Sequence, residues 1–209
     1  MLKVKFLFCA LFAMMSFTAQ ADEADEQEFV VTSGDFNVVR QPGKIGRLEV
    51  DFTQAKVGNL STMEMTDQTF IDYLKENDQK VYMKWNEYQE EAKETFMDRW
   101  NDEKKKVIKL SEKDTPAYII KIKATQLDPG NSGAATWSWN KRDGGIMISG
   151  TLEVLDDSGN SLCKMDINRY RGASTRSIDI KIPTFHRRTV LFHKSLAKDL
   201  LEFLFDNNK

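Results

Sequence analysis

Alternating apolar and polar positions predict strands in much of the chain. A first strand is expected at residues 44–52, where Leu48, Val50 and Phe52 alternate with acidic residues. Three further strands are expected at residues 117–127, 145–155 and 161–169, because alternation with a period of two is typical of strands with one buried face. Residues 156–160, Asp-Asp-Ser-Gly-Asn, predict a hairpin connection between the last two strands.

Apolar residues at every third or fourth position predict helices. Thr66 or Asp67 is expected to be the N-cap of the first helix. The last helix, around residues 190–204, is apolar on nearly every side and should lie across the sheet. Between them, a helix with one apolar stripe is indicated by Trp85, Tyr88, Ala92, Phe96 and Trp100.

These elements predict a fold of the α+β class. We expect a mostly antiparallel sheet of about four to five strands with helices packed on one face, since such sheets show this alternation. Residues 44–209 are expected to form a single domain. Residues 22–43 are interpreted as an acidic leader followed by a candidate edge strand.

The N-terminus is typical of a secretory signal peptide. Lys3 and Lys5 precede an apolar run over residues 6–17, and Ala-Gln-Ala at residues 19–21 predicts cleavage after Ala21. The run is shorter than the roughly 20 residues that span a bilayer. Because Cys9 lies inside the run and not at the cleavage site, no lipid anchor is expected. The mature chain, residues 22–209, is therefore predicted to be periplasmic or secreted and to lack a transmembrane helix.

No catalytic motif, metal-binding set or cofactor fingerprint stands out, so we expect a protein that is not an enzyme and needs no cofactor or metal. The mature chain has one cysteine, Cys163, which is interpreted as a small buried hydrophobic residue. The two histidines, His186 and His193, are too few for a metal site, which usually draws three or four ligands.

A long connection at residues 128–144 separates two predicted strands and carries Trp137 and Trp139. Connections of this length inside a compact domain are often functional. Two interpretations are open. The pair forms an exposed contact surface for a partner, a glycan or a membrane, or both rings fold back over an open edge of the sheet.

Residues 169–194 form a basic segment with seven Lys and Arg and a single acid, Asp179. The segment therefore carries a charge of +6, whereas the rest of the mature chain carries −10, because 28 Lys and Arg face 32 Asp and Glu after loss of the signal peptide. Either the segment binds an anion other than nucleic acid, or it lies against the acidic first half. The candidate binding residues are Arg169, Arg171, Arg187 and Arg188.

The sequence GTLEVLDDSGN at residues 150–160 and RYRG at residues 169–172, with a long apolar last helix, resemble an envelope-protein family. The chain resembles the domain-of-unknown-function 4410 family of bacterial lipoproteins, and more loosely the α/β domain of periplasmic activator lipoproteins of penicillin-binding proteins. This resemblance implies no catalytic residues. The predicted function is binding of an envelope partner, with unknown oligomeric state; the alternative is a small-ligand or glycan-binding protein that uses Trp137 and Trp139.

Overall fold

The computed structural model describes residues 27–103, 107–130, 142, 144–173 and 184–206. Within these ranges the strands form one eight-stranded sheet. In chain order they are β1 (Phe29–Gly34), β2 (Ile45–Asp51), β3 (Lys56–Asn59), β4 (Glu64–Thr69), β5 (Lys109–Leu110), β6 (Tyr118–Asp128), β7 (Met147–Asp156) and β8 (Ser161–Arg171). The helices are α1 (Phe70–Asn77), α2 (Gln79–Met83), α3 (Trp85–Asn101) and α4 (Phe185–Asp206), with a 3₁₀ turn at Phe36–Arg40.

The sheet is mixed, with the main strand order β1-β8-β7-β6-β2-β5. Strands β6, β7 and β8 form the predicted antiparallel meander, and β1 pairs antiparallel with β8. By contrast, β2 runs parallel to both β5 and β6. Strand β3 also pairs parallel with β6, beyond the end of β2, and pairs antiparallel with β4.

The prediction of four to five mostly antiparallel strands is therefore wrong in strand number and in strand direction. Alternation of apolar and polar residues indicates only that one face of a strand is exposed to solvent. It does not indicate whether the neighbouring strand is parallel or antiparallel. The informative feature was the long connection between β2 and β6. It contains helices α1 to α3, and parallel neighbours need a long crossover of this kind.

Strand β4 and helix α1 correct the predicted start of the first helix. Residues 64–69 pair with β3 as a strand, so neither Thr66 nor Asp67 is the N-cap. The helix begins after Thr69, whose hydroxyl oxygen accepts a hydrogen bond from the Asp72 backbone N–H at 3.3 Å. Both strands of this hairpin carry many polar residues, which removes the alternation that identifies strands from sequence.

Helices α3 and α4 contribute their apolar residues to the same core as the sheet. Four of the five residues in the predicted stripe of α3 are buried, and Trp100 donates its Nε1–H to the Ile108 carbonyl at 3.0 Å. The α4 residue Phe192 makes edge-to-face contacts with Phe52 and Tyr170 at centroid distances of 5.9 and 5.7 Å. Burial of each such large apolar side chain contributes roughly 1.5–3 kcal/mol.

A β-bulge near the end of β8 determines which side chains leave the core. The register with β7 shifts between Ile148 and Gly150, so two residues of β8 lie opposite Ser149. One of them, Arg169, has a φ of 43° and donates its backbone N–H to the Ser149 hydroxyl at 3.1 Å. Because of the extra residue, Tyr170 is fully buried, while Arg171 reaches a surface cleft.

Candidate binding cleft

A cleft of about 630 Å³ lies where the β3–β4 hairpin, helix α1 and the C-terminal ends of β6 and β8 meet. Its apolar lining includes Val57, Tyr73 and Pro129. Its polar lining is larger in number and comprises Asn59, Ser61, Glu64, Thr66, Gln68, Asn77, Asp128 and Arg171. The cleft therefore presents hydrogen-bond donors, hydrogen-bond acceptors and both signs of charge to a ligand.

The β3–β4 hairpin is held in shape by short-range hydrogen bonds. The Asn59 side-chain oxygen accepts from the backbone N–H groups of Ser61 and Thr62 at 2.9 and 3.2 Å, which fixes the turn. The Thr66 hydroxyl donates to the Val57 carbonyl across the hairpin at 2.7 Å. A Cβ at Gly58 would lie 2.4 Å from the Glu64 carbonyl oxygen, so the two strands can approach this closely only with glycine there.

Arg171, the last residue of β8, enters the cleft from the sheet. Its Nη2 donates to the Ser61 hydroxyl at 2.8 Å, which ties β8 to the hairpin. Its backbone N–H donates to the Glu28 carboxylate. Across the described ranges, this guanidinium has no carboxylate within ion-pair distance. The guanidinium therefore forms no ion pair within that part of the chain.

The opposite wall is made by the two ends of the long connection between β6 and β7. The Asp128 carboxylate accepts the Gly130 backbone N–H at 2.8 Å. Gly130 has a φ of 73°, and a Cβ there would lie 2.4 Å from the Gly144 carbonyl oxygen. The two ends therefore touch backbone to backbone, a contact that requires glycine.

Arg188 of helix α4 lies behind this wall and supports it. The residue is 6% exposed, and its Nη2 donates to the Pro129 carbonyl at 3.1 Å. Burial lowers the pKa of Arg188, and the nearby charge of Asp128 acts in the opposite direction. Arg188 therefore acts on the cleft by positioning Pro129 and does not line it.

A second polar cluster secures the connection just before Gly144. Arg142 donates to Glu28 at 2.9 Å and to Asp199 of α4 at 2.6 Å, and the Tyr170 hydroxyl donates to the same Asp199 carboxylate at 2.8 Å. Burial is the main reason that the pKa of Glu28 is raised, against the opposing effect of Arg142. The cluster joins the C-terminal part of the connection to β1, β8 and α4.

Comparisons with known proteins find only distant structural likeness. No protein-family model matches the chain, and no curated protein matches it. A solved PelC dodecamer from Paraburkholderia phytofirmans is 14% identical, covers 81% of this chain and 96% of its own chain, and has a TM-score of 0.35. A variant of that dodecamer is 12% identical, with the same coverage and a TM-score of 0.32. Likeness at these TM-scores supports no inference about function or assembly.

The structure brings only part of the predicted site together. Of the four arginines proposed from sequence, Arg171 lines the cleft and Arg188 supports its wall. Arg169 lines a separate surface depression, and Arg187 lies in the first turn of α4, where its backbone N–H donates to the Thr184 hydroxyl at 3.2 Å. Trp137 and Trp139, like the predicted signal peptide, lie outside the described residues. Over the described ranges, no helix is both long enough and apolar enough to cross a membrane.

Sequence reasoning missed the residues that the β3–β4 hairpin brings to the cleft. Residues 55–61 show no alternation of apolar and polar positions, so periodicity indicates a loop there and not strand β3. The available signal was Gly58-Asn59 followed by a second extended run after four residues, a spacing that suits a hairpin.

Cys163 is buried in the core. It is 0% exposed within β8, and burial raises the pKa of its thiol to about 12. The thiol is therefore protonated at neutral pH and unsuited to nucleophilic chemistry.

Proposed function

We propose that this protein is exported after cleavage near Ala21 and binds a polar, hydroxyl-rich ligand, such as a glycan of the cell envelope, in the cleft between the β3–β4 hairpin and the ends of β6 and β8. The observation that carries the proposal is the convergence of polar side chains in one concavity of about 630 Å³. Ligand sites are typically concave, with volumes of about 300–1,000 Å³ and a few convergent polar groups.

The chemistry of the lining suits hydroxyl groups. A sugar hydroxyl both donates and accepts, so it needs acceptors such as Glu64 and donors such as the Asn59 amide in the same place. The Tyr73 and Pro129 side chains add apolar surface against which the C–H face of a sugar ring could pack. This mixture is what the glycan-binding alternative requires.

The position of the tryptophan pair in the sequence adds support. Trp137 and Trp139 belong to the connection whose ends, Gly130 and Gly144, line the cleft. Aromatic rings are effective partners for the apolar faces of ligands. We therefore keep both tryptophans in the proposed binding function, as the sequence suggested.

Binding of a protein partner is the competing hypothesis from sequence, and it needs an exposed apolar patch. The large apolar side chains that are exposed in the described part of the chain are Val31, Met63, Met83 and Leu162. They belong to β1, the β3–β4 turn, α2 and β8, respectively. This scatter gives less support to an apolar docking face than the cleft gives to a polar ligand.

The test measures binding of the purified mature chain to a panel of neutral and acidic oligosaccharides. Gln68→Ala removes one polar group of the cleft and should weaken binding by about two- to tenfold, the effect of one hydrogen bond. Trp137→Ala/Trp139→Ala should weaken it further. The matched control is Gln79→Ala, which makes the same chemical change at an α2 residue that does not line the cleft.

A crosslinking pull-down from intact envelopes provides the opposing outcome. If no oligosaccharide binds and one specific protein is captured by the wild type but lost in the tryptophan variant, the protein is a partner-binding module and the proposed ligand function is wrong.

A further inference from the structure

Among the described residues that line the cleft, Arg171 is the only cation, and the other two charged residues are the acids Glu64 and Asp128. The Glu64 carboxylate accepts a hydrogen bond from the Thr62 hydroxyl at 3.1 Å. The Asp128 carboxylate accepts from the Gly130 N–H, and the buried Arg188 lies close enough to interact with its charge. Among the described residues, Arg171 has a neutral side-chain partner only, the Ser61 hydroxyl.

The fold also fixes where the Arg171 guanidinium can point. The bulge at Arg169 turns Arg171 out of the core, and the Arg171 backbone N–H is bonded to Glu28. The hydrogen bond to Ser61 uses one of the five N–H donors of the guanidinium. The remaining donors form a planar fork that matches a carboxylate in a bidentate arrangement.

We propose that Arg171 is the anion subsite of the cleft and that the ligand is an acidic glycan, whose sugar carboxylate pairs with this guanidinium. This inference rests on the proposed glycan-binding function and adds that the glycan carries a negative charge. In that arrangement the carboxylate binds the Arg171 fork, while neighbouring hydroxyl groups bind the polar side chains of the β3–β4 hairpin.

A carboxylate suits this cleft better than a phosphate. Glu64 and Asp128 line the same concavity, so a doubly charged phosphate would meet two like charges there. A sugar carboxylate carries a single charge, and its hydroxyl groups can donate to those two side chains. The charges of the lining therefore predict a uronic acid in preference to a sugar phosphate.

The experiment is isothermal titration of the mature protein with a linear tetramer of galacturonic acid and, in parallel, with a neutral glucose tetramer. The wild type should bind the acidic tetramer at least about tenfold more tightly, the effect of one charge-assisted hydrogen-bonded pair. Arg171→Gln should abolish that preference and leave the affinity for the neutral tetramer within about threefold, since only the charged subsite is lost.

Three further measurements keep the result specific. Arg171→Lys retains the charge but loses the fork, so it should recover only part of the preference. The control Arg47→Gln removes an arginine of β2 that pairs with Glu49 on the surface, and it should change nothing. Thermal unfolding confirms that each variant is folded.

The outcomes separate the two proposals. Equal binding of both tetramers by the wild type, or an unchanged preference in Arg171→Gln, would overturn the anion subsite and leave the ligand function standing. Tighter binding of glucose 6-phosphate than of galacturonic acid would overturn the choice of carboxylate. Binding of neither tetramer nor any sugar of the panel would overturn the ligand function, and the subsite with it.

Discussion

His193 should make the stability of the fold depend on pH. This α4 residue is 1% exposed, and its ring lies 5.4 Å, between centroids, from Phe52 and from Phe192. Its Nδ1 lies 2.8 Å from the Thr189 carbonyl oxygen, so Nδ1 carries the proton; Nε2 has no hydrogen-bond partner in the described part of the chain. Burial lowers the pKa of His193 to about 4 from an ordinary value of 6.5.

The sign and size of the effect follow from proton linkage. Between pH 6.5 and pH 4, His193 is protonated in the unfolded chain but stays neutral in the folded chain. Its contribution to stability is therefore fully present above pH 6.5 and decreases as the pH falls toward 4. Between pH 7.5 and pH 5 the free energy of unfolding should decrease by about 2 kcal/mol through His193 alone, and by about 3 kcal/mol when the pH reaches 4.

The assay is urea denaturation of the wild type and of His193→Leu at pH 7.5 and pH 5. Leucine cannot titrate, so the variant should gain about 2 kcal/mol relative to the wild type on acidification. At pH 7.5 the two proteins should differ by less than about 1.5 kcal/mol, since the change nearly conserves volume and removes an unsatisfied nitrogen. Packing differences cancel when the two pH values are compared.

His186→Gln is the control for this assay. It changes the other histidine of the chain and leaves His193 in place, so it should retain the pH dependence that His193 causes. An equal pH dependence in the wild type and His193→Leu would refute the assignment of this effect to a buried, neutral histidine.

Three further predictions concern backbone packing, the burial of a thiol and the charge pairs of Arg142. Gly172→Ala places a Cβ 2.8 Å from the Phe192 Cα of α4 and should lower the free energy of unfolding, measured in urea, by about 2 kcal/mol. The control Gly43→Ala has no atom within 4 Å of the new Cβ, but its φ is 83°. It should therefore cost only about 1 kcal/mol, from backbone strain alone. Cys163 should react with a thiol reagent at pH 8 only on unfolding, and fast labelling of the native protein would contradict its burial. Arg142→Gln should lower the free energy of unfolding by about 1 kcal/mol at pH 7, a small value because the ion pair is partly exposed. The loss should be smaller in acid, because protonation of Glu28 removes its repulsion with Asp199 when Arg142 is absent. An equal loss at both pH values would argue against this coupling.

Local periodicity predicted the elements whose sequence carries a strong pattern. The strand around Leu48 and Val50, the three-strand meander and the hairpin at residues 156–160 all lie close to their expected positions. The stripe of α3 and the broadly apolar α4 were also identified, because a helix with a wide apolar surface must be buried. These features depend on neighbours in sequence, which is why the pattern reports them.

Pairing between distant segments could not be derived in the same way. The parallel contact of β2 with β6 joins residues about 70 positions apart, and no local pattern encodes its direction. Apolar and polar residues do not alternate in the β3–β4 hairpin, so the wall that it adds to the cleft could not be predicted from the sequence. The bulge at Arg169 shifts the alternation of β8 by one residue, so Tyr170 enters the core and Arg171 reaches the cleft, and no local pattern in the sequence indicates this shift.

The most direct test of the cleft is a map of backbone amide shifts in the isotope-labelled mature protein during titration with the galacturonic acid tetramer. We predict saturable changes that are largest at Asn59, Ser61, Asp128 and Arg171, with the exposed α2 surface around Met83 unchanged. Saturable changes confined to α2 or to the β1 edge, or no saturable change with any sugar, would contradict the assignment of this cleft as the binding site.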